Sequence, residues 1–328
     1  MPVPHAPDFR SLHPALAARF PGVPVGQADR EPRLHLYHAP NSICSQKVRA
    51  VLAQIGEPYV SHSLNIFGGE SYDPAYVRLR MTGCAAAGLD LARRHLGTTS
   101  VASAGCDACV VPTLVDVADE RVVIDSRRIC MEIDRASARS RGALVPAHLR
   151  DRIEAELAIV DELPNYQMLA PGVGAGISGR SNAFAASKVA RCDALIASHA
   201  SDAALRAAYD AKRAKEQMAA DRLFDSDALE RAQLKMQKAL RELDARLAST
   251  SGPFLFGDSV TMADLLWGVE LTRCEDVGLA PCWRGGRLPR VARYFQSLST
   301  LPAIAQAVLD WPGARLEGRP DRACVAEA

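Results

Sequence analysis

Two adjoining segments decide the fold: Leu34-His-Leu-Tyr-His38, and Asn41-Ser-Ile-Cys-Ser-Gln-Lys-Val-Arg-Ala-Val-Leu-Ala-Gln-Ile-Gly56. The alternation in the first segment is typical of a β-strand. In the second, apolar residues recur at i, i+3, i+4 and i+7 from Val48 to Ile55, which predicts one apolar face of a helix. The residues from Tyr59 to Ile66 are predicted to form a second strand. A strand, a helix and a strand in this order indicate the beginning of an α/β domain.

The remaining sequence divides by its patterns into further parts. Residues 1–32 are rich in proline and have no sustained periodicity, so they predict an irregular N-terminal arm. Residues 33–136 form the predicted α/β domain, with a glycine-rich insertion over 67–109 in which 76–81 and 89–96 are expected to be helical. Residues 147–313 are predicted to form an all-α domain that contains a loop over 171–179 and one long helical segment over 186–223. Residues 314–328 are a C-terminal tail.

Composition and charge exclude several classes of protein. The 328 residues are 48% hydrophobic and 23% charged, as in an ordinary globular protein and unlike a disordered or fibrous one. The formal net charge is +1, so no overall field attracts nucleic acid or an anionic membrane. No apolar run approaches the roughly 18 residues that span a bilayer. Nine sparse cysteines are expected to be thiols in a reducing compartment, which favours the cytoplasm.

Cys44 is the first candidate for chemistry. It lies at the start of the predicted helix, where unpaired amides and the helix dipole favour an anion such as a thiolate. Lys47 follows in the same turn and adds positive potential. Thioredoxin-type redox sites carry Cys-x-x-Cys here, whereas this chain has Cys44-Ser-Gln-Lys47, so an external thiol must resolve any disulfide. The alternative is that Cys44 is a small buried hydrophobic residue.

Other motifs have plainer interpretations. Cys106 and Cys109 have the spacing of a zinc half-site, but the sequence offers no matching second pair, so no metal site is predicted. We interpret them as two ordinary thiols, with a disulfide between them as the alternative, and Cys84 shows no pairing logic. Thr261 and Asp264 form a capping-box pattern that begins a helix. The basic run from Arg206 to Lys215 is predicted to be a solvated helical face.

Four features in order resemble the cytosolic glutathione transferases. They are the segment Asn41–Arg49, the Val111-Pro112-Thr-Leu strand, the Asp125-Ser126 pair and the box at Thr261–Asp264. This family has a thioredoxin-like α/β N-terminal domain and an all-α C-terminal domain, and the resemblance covers residues 33–313. Within the family, Ser42-Ile-Cys44-Ser and the match of the long insertion resemble the hydroquinone reductive dehalogenases. The family's habit also implies a homodimer.

The resemblance implies roles for the residues at the start of the helix. Cys44 would be the catalytic cysteine. Ser42 would donate a hydrogen bond to the thiolate of glutathione, the cosubstrate, or would only cap the helix; a hydroxyl can do both. Lys47 is assigned to glutathione binding because of its charge.

The resemblance assigns the rest of the glutathione site to two other segments. Pro112 would be a cis-proline that lets the Val111 backbone pair with the cysteinyl amide of glutathione, unless it is a plain edge-strand proline. Asp125 and Ser126 would bind the γ-glutamyl end at a helix N-terminus, although a simple cap would look the same in sequence.

The activity implied is glutathione-dependent reductive dehalogenation of a small aromatic substrate, a chlorinated hydroquinone. It would proceed through a glutathionyl-aromatic conjugate and a mixed disulfide of Cys44 with glutathione. The same residues are compatible with a conjugating or isomerising transferase, or with a thiol transferase. A binding protein without catalytic activity is the third alternative.

Overall fold

Five strands form one mixed sheet in the order β1-β3-β2-β4-β5. The computed structural model describes residues 9–170 and 181–316, together with residues 321, 322 and 324. Strands β2 and β3 are parallel, and the other neighbouring pairs are antiparallel. The strands are β1 (Gly22–Val25), β2 (Leu34–His38), β3 (Tyr59–Ser63), β4 (Thr113–Asp116) and β5 (Arg121–Ile124). This is the thioredoxin-like arrangement that the sequence predicts.

Helices cover both faces of the sheet and build the C-terminal half. The N-terminal helices are α1 (Phe9–Arg19), α2 (Ile43–Ile55), α3 (Pro74–Ala86), α4 (Val101–Ala104) and α5 (Ser126–Ala136). The C-terminal helices are α6 (Arg150–Asp161), α7 (Asn165–Met168), α8 (Asn182–Ser198), α9 (Ala203–Arg222), α10 (Ser226–Leu247), α11 (Met262–Asp276), α12 (Pro289–Ser299) and α13 (Pro302–Ile304), and a π-helical turn (Ala305–Leu309) follows. The prediction of an all-α C-terminal half is confirmed.

The N-terminal arm is ordered from Phe9 onward, so the prediction of an irregular arm over 1–32 is wrong for this part. Helix α1 packs against α3, and β1 pairs antiparallel with β3 at the edge of the sheet. The side chains of Leu16 and Phe20 are buried. Proline content misled the prediction for two reasons. Pro24 lies on an edge strand, where proline is accepted, and α1 forms although Pro14 in its interior removes one helical hydrogen bond.

Three other local predictions need correction or lie outside the description. Residues 89–96 contain no helix, only an isolated bridge from Leu91 to Cys106. The helical segment predicted over 186–223 is two helices, because α8 ends at Ser198 and Asp202 caps α9. The loop predicted over 171–179 lies outside the described residues.

The cysteines of the insertion are arranged differently from the prediction. Cys84 on α3 forms a disulfide with Cys106, whereas Cys109 is a buried free thiol. The interpretation of Cys106 and Cys109 as two ordinary thiols is therefore wrong for Cys106, and the alternative bond between them is absent. Sequence spacing shows local neighbours only, and the packing of α3 against the end of the insertion is what brings Cys84 to Cys106.

The sheet and the C-terminal helices share one hydrophobic core. Helix α2 packs against α5, α11 and α13, and apolar side chains of β2 and α2 lie in the same cluster as those of α11. The capping box is confirmed, since the Asp264 carboxylate accepts the Thr261 backbone N–H at 2.8 Å. Among the described residues no helix is long and apolar enough to cross a membrane.

Candidate active site

The turn between β2 and α2 is fixed by buried cations. The Arg49 guanidinium donates to the carbonyl oxygens of Pro40 and Ala307, at 2.9 and 2.8 Å, and lies over the Trp311 ring. Arg273 on α11 donates to the Asn41 carbonyl at 2.8 Å. Ala307 and Arg273 belong to the C-terminal half. These bonds therefore hold the first turn of α2 against that half of the molecule.

A cavity of about 470 Å³ begins at this turn. It brings together six of the seven predicted site residues: Ser42, Cys44, Val111, Pro112, Asp125 and Ser126. They come from three segments that are far apart in sequence, and the order of β2, β4 and β5 in the sheet places those segments side by side. The sequence-predicted residues therefore lie around one opening.

Ser42 caps α2 and also lines the cavity. Its hydroxyl oxygen accepts the Ser45 backbone N–H at 3.4 Å. An acceptor role leaves the hydroxyl proton able to donate to a ligand. The two roles that the sequence left open are compatible in this geometry.

Cys44 is half-buried in the first turn of α2. Burial raises the pKa of its thiol above the ordinary value, whereas Lys47 and a hydrogen bond with the Ser126 side chain act in the opposite direction. The net direction differs from the sequence expectation, in which the helix end and Lys47 lower this pKa. Desolvation dominates because the side chain packs into the junction of the two halves, so Cys44 is mainly a protonated thiol near neutral pH.

Lys47 is not among the residues that line the cavity, and its assignment to glutathione binding stays a prediction. Its side chain is fully buried, and Nζ lies 3.4 Å from Asp161 Oδ1. Burial alone would lower the pKa of this lysine, but Asp161, Cys44 and Glu270 raise it, so the ammonium form is retained. In this position the charge of Lys47 acts on Cys44 and lowers the pKa of its thiol.

Removing either group that favours the Cys44 thiolate is expected to slow its alkylation. Lys47→Met and Ser126→Ala should each raise the pKa of Cys44 further and reduce its labelling by iodoacetamide near pH 7.5, by about tenfold for Lys47→Met. Rates should be measured without glutathione and assigned to Cys44 by peptide mass spectrometry. At high pH, where the thiol is ionised in every variant, the rates should converge.

Exposed Lys238 supplies the matched control for the charge change. Its side chain is 71% exposed on α10, so Lys238→Met should leave the Cys44 profile unchanged. Ser126→Ala complements Lys47→Met because it leaves no buried carboxylate without a partner. Identical pH–rate profiles for wild type, Lys47→Met and Ser126→Ala would contradict the proposed coupling.

Asp125 and Ser126 form the N-terminus of α5. Asp125 has a φ of 72°. Its carboxylate interacts with the first turn of α5 through the Arg127 backbone and the Arg128 side chain, whose Nε lies 3.9 Å away. It also lines the cavity. Burial, with the nearby charge of Asp161, raises the pKa of Asp125 to about 6. A partly desolvated carboxylate at the edge of a cavity is a suitable partner for an ammonium group.

The Val111–Pro112 peptide bond is cis, and both residues line the cavity. Side chains of α3 hold this segment: the Tyr76 hydroxyl donates to the Val110 carbonyl at 2.9 Å, and Arg80 donates to the Pro112 carbonyl. The backbone here is therefore fixed by buried partners before any ligand binds.

The opposite end of the cavity is aromatic and cationic. The rings of His95 and Tyr166 lie 4.1 Å apart, and Phe67 and Phe184 also line this end. Three lysines, Lys188, Lys212 and Lys215, form ion pairs with the carboxylates of Asp107 and Glu216. The two lysines from α9 hold the pKa of Asp107 well below its usual range, so this carboxylate stays ionised.

Comparisons with known proteins identify the family of the chain. A family model for the C-terminal domain of glutathione S-transferases matches residues 226–297. The 2,5-dichlorohydroquinone reductive dechlorinase of Sphingobium indicum is 35% identical over 300 residues, which cover 88% of this chain and 85% of that protein. The chain belongs to the glutathione transferase superfamily. Its sequence is close to the reductive dehalogenases of that superfamily.

Two further proteins that are similar to this chain are consistent with its place in the superfamily. The tetrachloro-p-hydroquinone reductive dehalogenase of Sphingobium chlorophenolicum is 28% identical over 297 residues, or 86% of this chain and 99% of that protein. Among solved structures, the glutathione transferase URE2P6 of Phanerochaete chrysosporium, crystallised with oxidised glutathione, has a TM-score of 0.52 at 16% identity. The alignment covers 84% of this chain and 94% of the chain of that structure. That likeness concerns the fold.

Sequence reasoning missed the distal half of the site, which is the aromatic and cationic end of the cavity. The run from Arg206 to Lys215 was predicted to be a solvated face, yet the Lys212 side chain is only 4% exposed and both lysines of that run line the cavity. The available signal was the i, i+3 spacing of Lys212 and Lys215, which places two of the four basic residues of this run on one side of the helix. It could not be interpreted without knowing that Asp107 of the insertion faces them.

Proposed function

We propose that the protein is a glutathione-dependent reductive dehalogenase of chlorinated hydroquinones. The observation that carries this proposal is the single cavity that joins Ser42, Cys44 and the Asp125–Ser126 helix end to an aromatic, cationic chamber. Glutathione occupies the first part, and a small aromatic ring occupies the second. The relationship to a dichlorohydroquinone dechlorinase over most of both chains supports the same substrate class.

Each part of glutathione has a matching group. The Asp125 carboxylate pairs with the γ-glutamyl ammonium, and Ser126 with the N-terminal amides of α5 binds the neighbouring carboxylate. The fixed Val111 backbone pairs with the cysteinyl amide. The Ser42 hydroxyl donates to the thiolate, which places the glutathione sulfur at the end of α2 close to Cys44.

The distal chamber suits a halogenated phenol. Tyr166 and His95 offer aromatic faces, and the ammonium groups of Lys188, Lys212 and Lys215 line the same cavity, where positive charge favours a phenolate over a neutral ring. Residues 98–101, 104 and 105 of the insertion also line the cavity, so the insertion shapes the substrate pocket.

The reaction proceeds in three balanced steps. The glutathione thiolate attacks the chlorinated carbon of the ketonic tautomer, a C–S bond forms and chloride leaves. The Cys44 sulfur then attacks the sulfur of the conjugate; an S–S bond forms, the C–S bond breaks, and the ring carbon gains a proton that balances the one lost by Cys44. A second glutathione attacks the mixed disulfide, which releases oxidised glutathione and restores the Cys44 thiol.

Turnover of 2,5-dichlorohydroquinone with glutathione tests the proposal directly. We expect one molecule of oxidised glutathione for each chloride released, with the dechlorinated hydroquinone as product. Chloride release with a stable glutathionyl conjugate would contradict the reductive step and favour a conjugating transferase. Failure to bind a glutathione resin would favour a binding protein without catalytic activity. The need for reduced glutathione favours a cytoplasmic location.

A further inference from the structure

Three buried histidines from three different elements meet on the α1 side of the sheet. His13 lies on α1, His35 on β2 and His62 on β3, and their exposed fractions are 8%, 8% and 1%. One ligating atom from each lies within 4.8 Å of the other two. None of the three lines the active-site cavity, so the mechanism proposed above does not use them.

The hydrogen bonds of this cluster define which nitrogens of His62 and His35 carry a proton. His62 Nδ1 donates to the Phe20 carbonyl at 2.6 Å, so its Nε2 carries a lone pair. That lone pair faces His35 Nδ1 at 2.9 Å, where one proton is shared. The two nitrogens therefore face each other, with the shared proton between them.

The third ring supplies a nitrogen with no other role. His13 Nε2 is buried and has no hydrogen-bond partner among the described residues. An unsatisfied buried donor or acceptor costs on the order of 1–3 kcal/mol, so such atoms are rare unless something binds them. The His13 and His35 ring centroids are 4.6 Å apart, and the two rings are nearly perpendicular. His13 therefore lies beside the hydrogen-bonded pair of His35 and His62.

We propose that His13, His35 and His62 bind one divalent transition-metal ion, for which zinc is the best fit. Imidazole nitrogens are preferred zinc ligands, and Zn–N bonds of about 2.0–2.1 Å place two nitrogens of a tetrahedron about 3.3 Å apart. The present separations of 2.9 Å, and at most 4.8 Å, bracket that value, so small ring movements complete the site. The ion takes the place of the shared proton, which moves to His35 Nε2 so that the ring binds as neutral imidazole, and a fourth position remains for water.

The surroundings have the features of a metal site beyond the three nitrogens. The Phe20 carbonyl that accepts from His62 is the type of outer-shell partner that fixes the tautomer of a ligating histidine. The ion would tie the N-terminal helix to the two parallel strands at the centre of the domain.

Cobalt binding to the wild-type protein tests the ligand set. Full-length protein is stripped with a chelator under reducing conditions and titrated with Co²⁺. We expect one equivalent to bind with the visible d–d bands of a tetrahedral site and without thiolate-to-cobalt charge transfer. No binding, or a spectrum dominated by thiolate charge transfer from the cysteines, would overturn the proposal.

Matched histidine variants locate the site. His13→Gln is expected to weaken Co²⁺ and Zn²⁺ binding by more than about 100-fold, because losing an outer-shell partner alone costs 10–100-fold. His148→Gln, at an exposed position outside the cluster, should bind like wild type. Zinc should raise the Tm of wild type and of His148→Gln but not that of His13→Gln. Equal affinity in His13→Gln would overturn the proposal, and if that variant does not fold, the wild-type cobalt spectrum decides.

Discussion

Replacing Cys44 with serine is expected to stop the reaction at the glutathionyl-aromatic conjugate. The first step uses the sulfur of glutathione and not that of Cys44, so chloride release in a single turnover should persist. Cleavage of the conjugate needs a second sulfur at the end of α2, and a serine hydroxyl cannot form the mixed disulfide. Formation of dechlorinated hydroquinone should fall by at least about 10³-fold, as for loss of other enzyme nucleophiles.

Two free cysteines among the described residues line the cavity, and their surroundings differ. Burial raises the pKa of both thiols. After burial, the largest effect at Cys109 is that of the Asp107 carboxylate, which raises the pKa further, although Lys212 and Arg80 oppose it. At Cys44 the largest effect after burial is that of Lys47, which lowers the pKa together with the Ser126 hydroxyl, while Asp161 and Asp125 raise it. Since the thiolate is the nucleophile, Cys44 is the better candidate of the two.

Rapid-quench mass spectrometry of single turnovers with 2,5-dichlorohydroquinone measures these intermediates. Cys44→Ser should accumulate the conjugate, and wild type quenched before the second glutathione reacts should carry glutathione on Cys44. Cys109→Ala is the matched control within the same cavity and should release dechlorinated product. Normal product formation by Cys44→Ser, or its loss in Cys109→Ala alone, would transfer the role to the other thiol.

The proximal half of the site is the end of the cavity at the first turns of α2 and α5. It could be predicted because its residues lie at element boundaries that have sequence signatures. Ser42 and Asp125 each precede a helix, and Pro112 interrupts the beginning of a strand. Such positions depend on local backbone geometry, and the order of the segments indicates the fold that brings them together. The balance of charge at Cys44 was not predictable in this way, because it depends on burial between two distant parts of the chain.

The distal half and the histidine cluster depend on contacts that no local pattern specifies. Lys212 binds Asp107, which precedes it by 105 residues and lies in the loop between α4 and β4. His13 meets β2 and β3 only because α1 packs on the sheet, whereas prolines in the same region predict an irregular arm. In both cases a residue type that is usually solvated or scattered becomes significant only through its partners.

Replacing Asp125 with asparagine is expected to remove the pH dependence of glutathione binding. In the wild type, burial and Asp161 raise the pKa of this carboxyl to about 6, so it is mostly ionised at pH 7 and mostly protonated at pH 5. An ammonium group binds the ionised form, and affinity should therefore fall about tenfold as the pH drops from about 7 to about 5. Asp125→Asn should bind roughly 10–100-fold more weakly at pH 7, with no such fall.

Calorimetry with S-methylglutathione isolates this effect, because the methylated sulfur does not ionise while the ammonium group is kept. Asparagine is the suitable replacement since it tolerates the positive φ of 72° at this position, so the start of α5 should be preserved. Asp119→Asn, at an exposed turn outside the cavity, makes the same change of charge and should reproduce the wild-type profile. A wild-type affinity that is flat between these pH values, or an unchanged profile in Asp125→Asn, would show that the γ-glutamyl ammonium binds elsewhere, and the orientation of glutathione proposed here would have to be reversed.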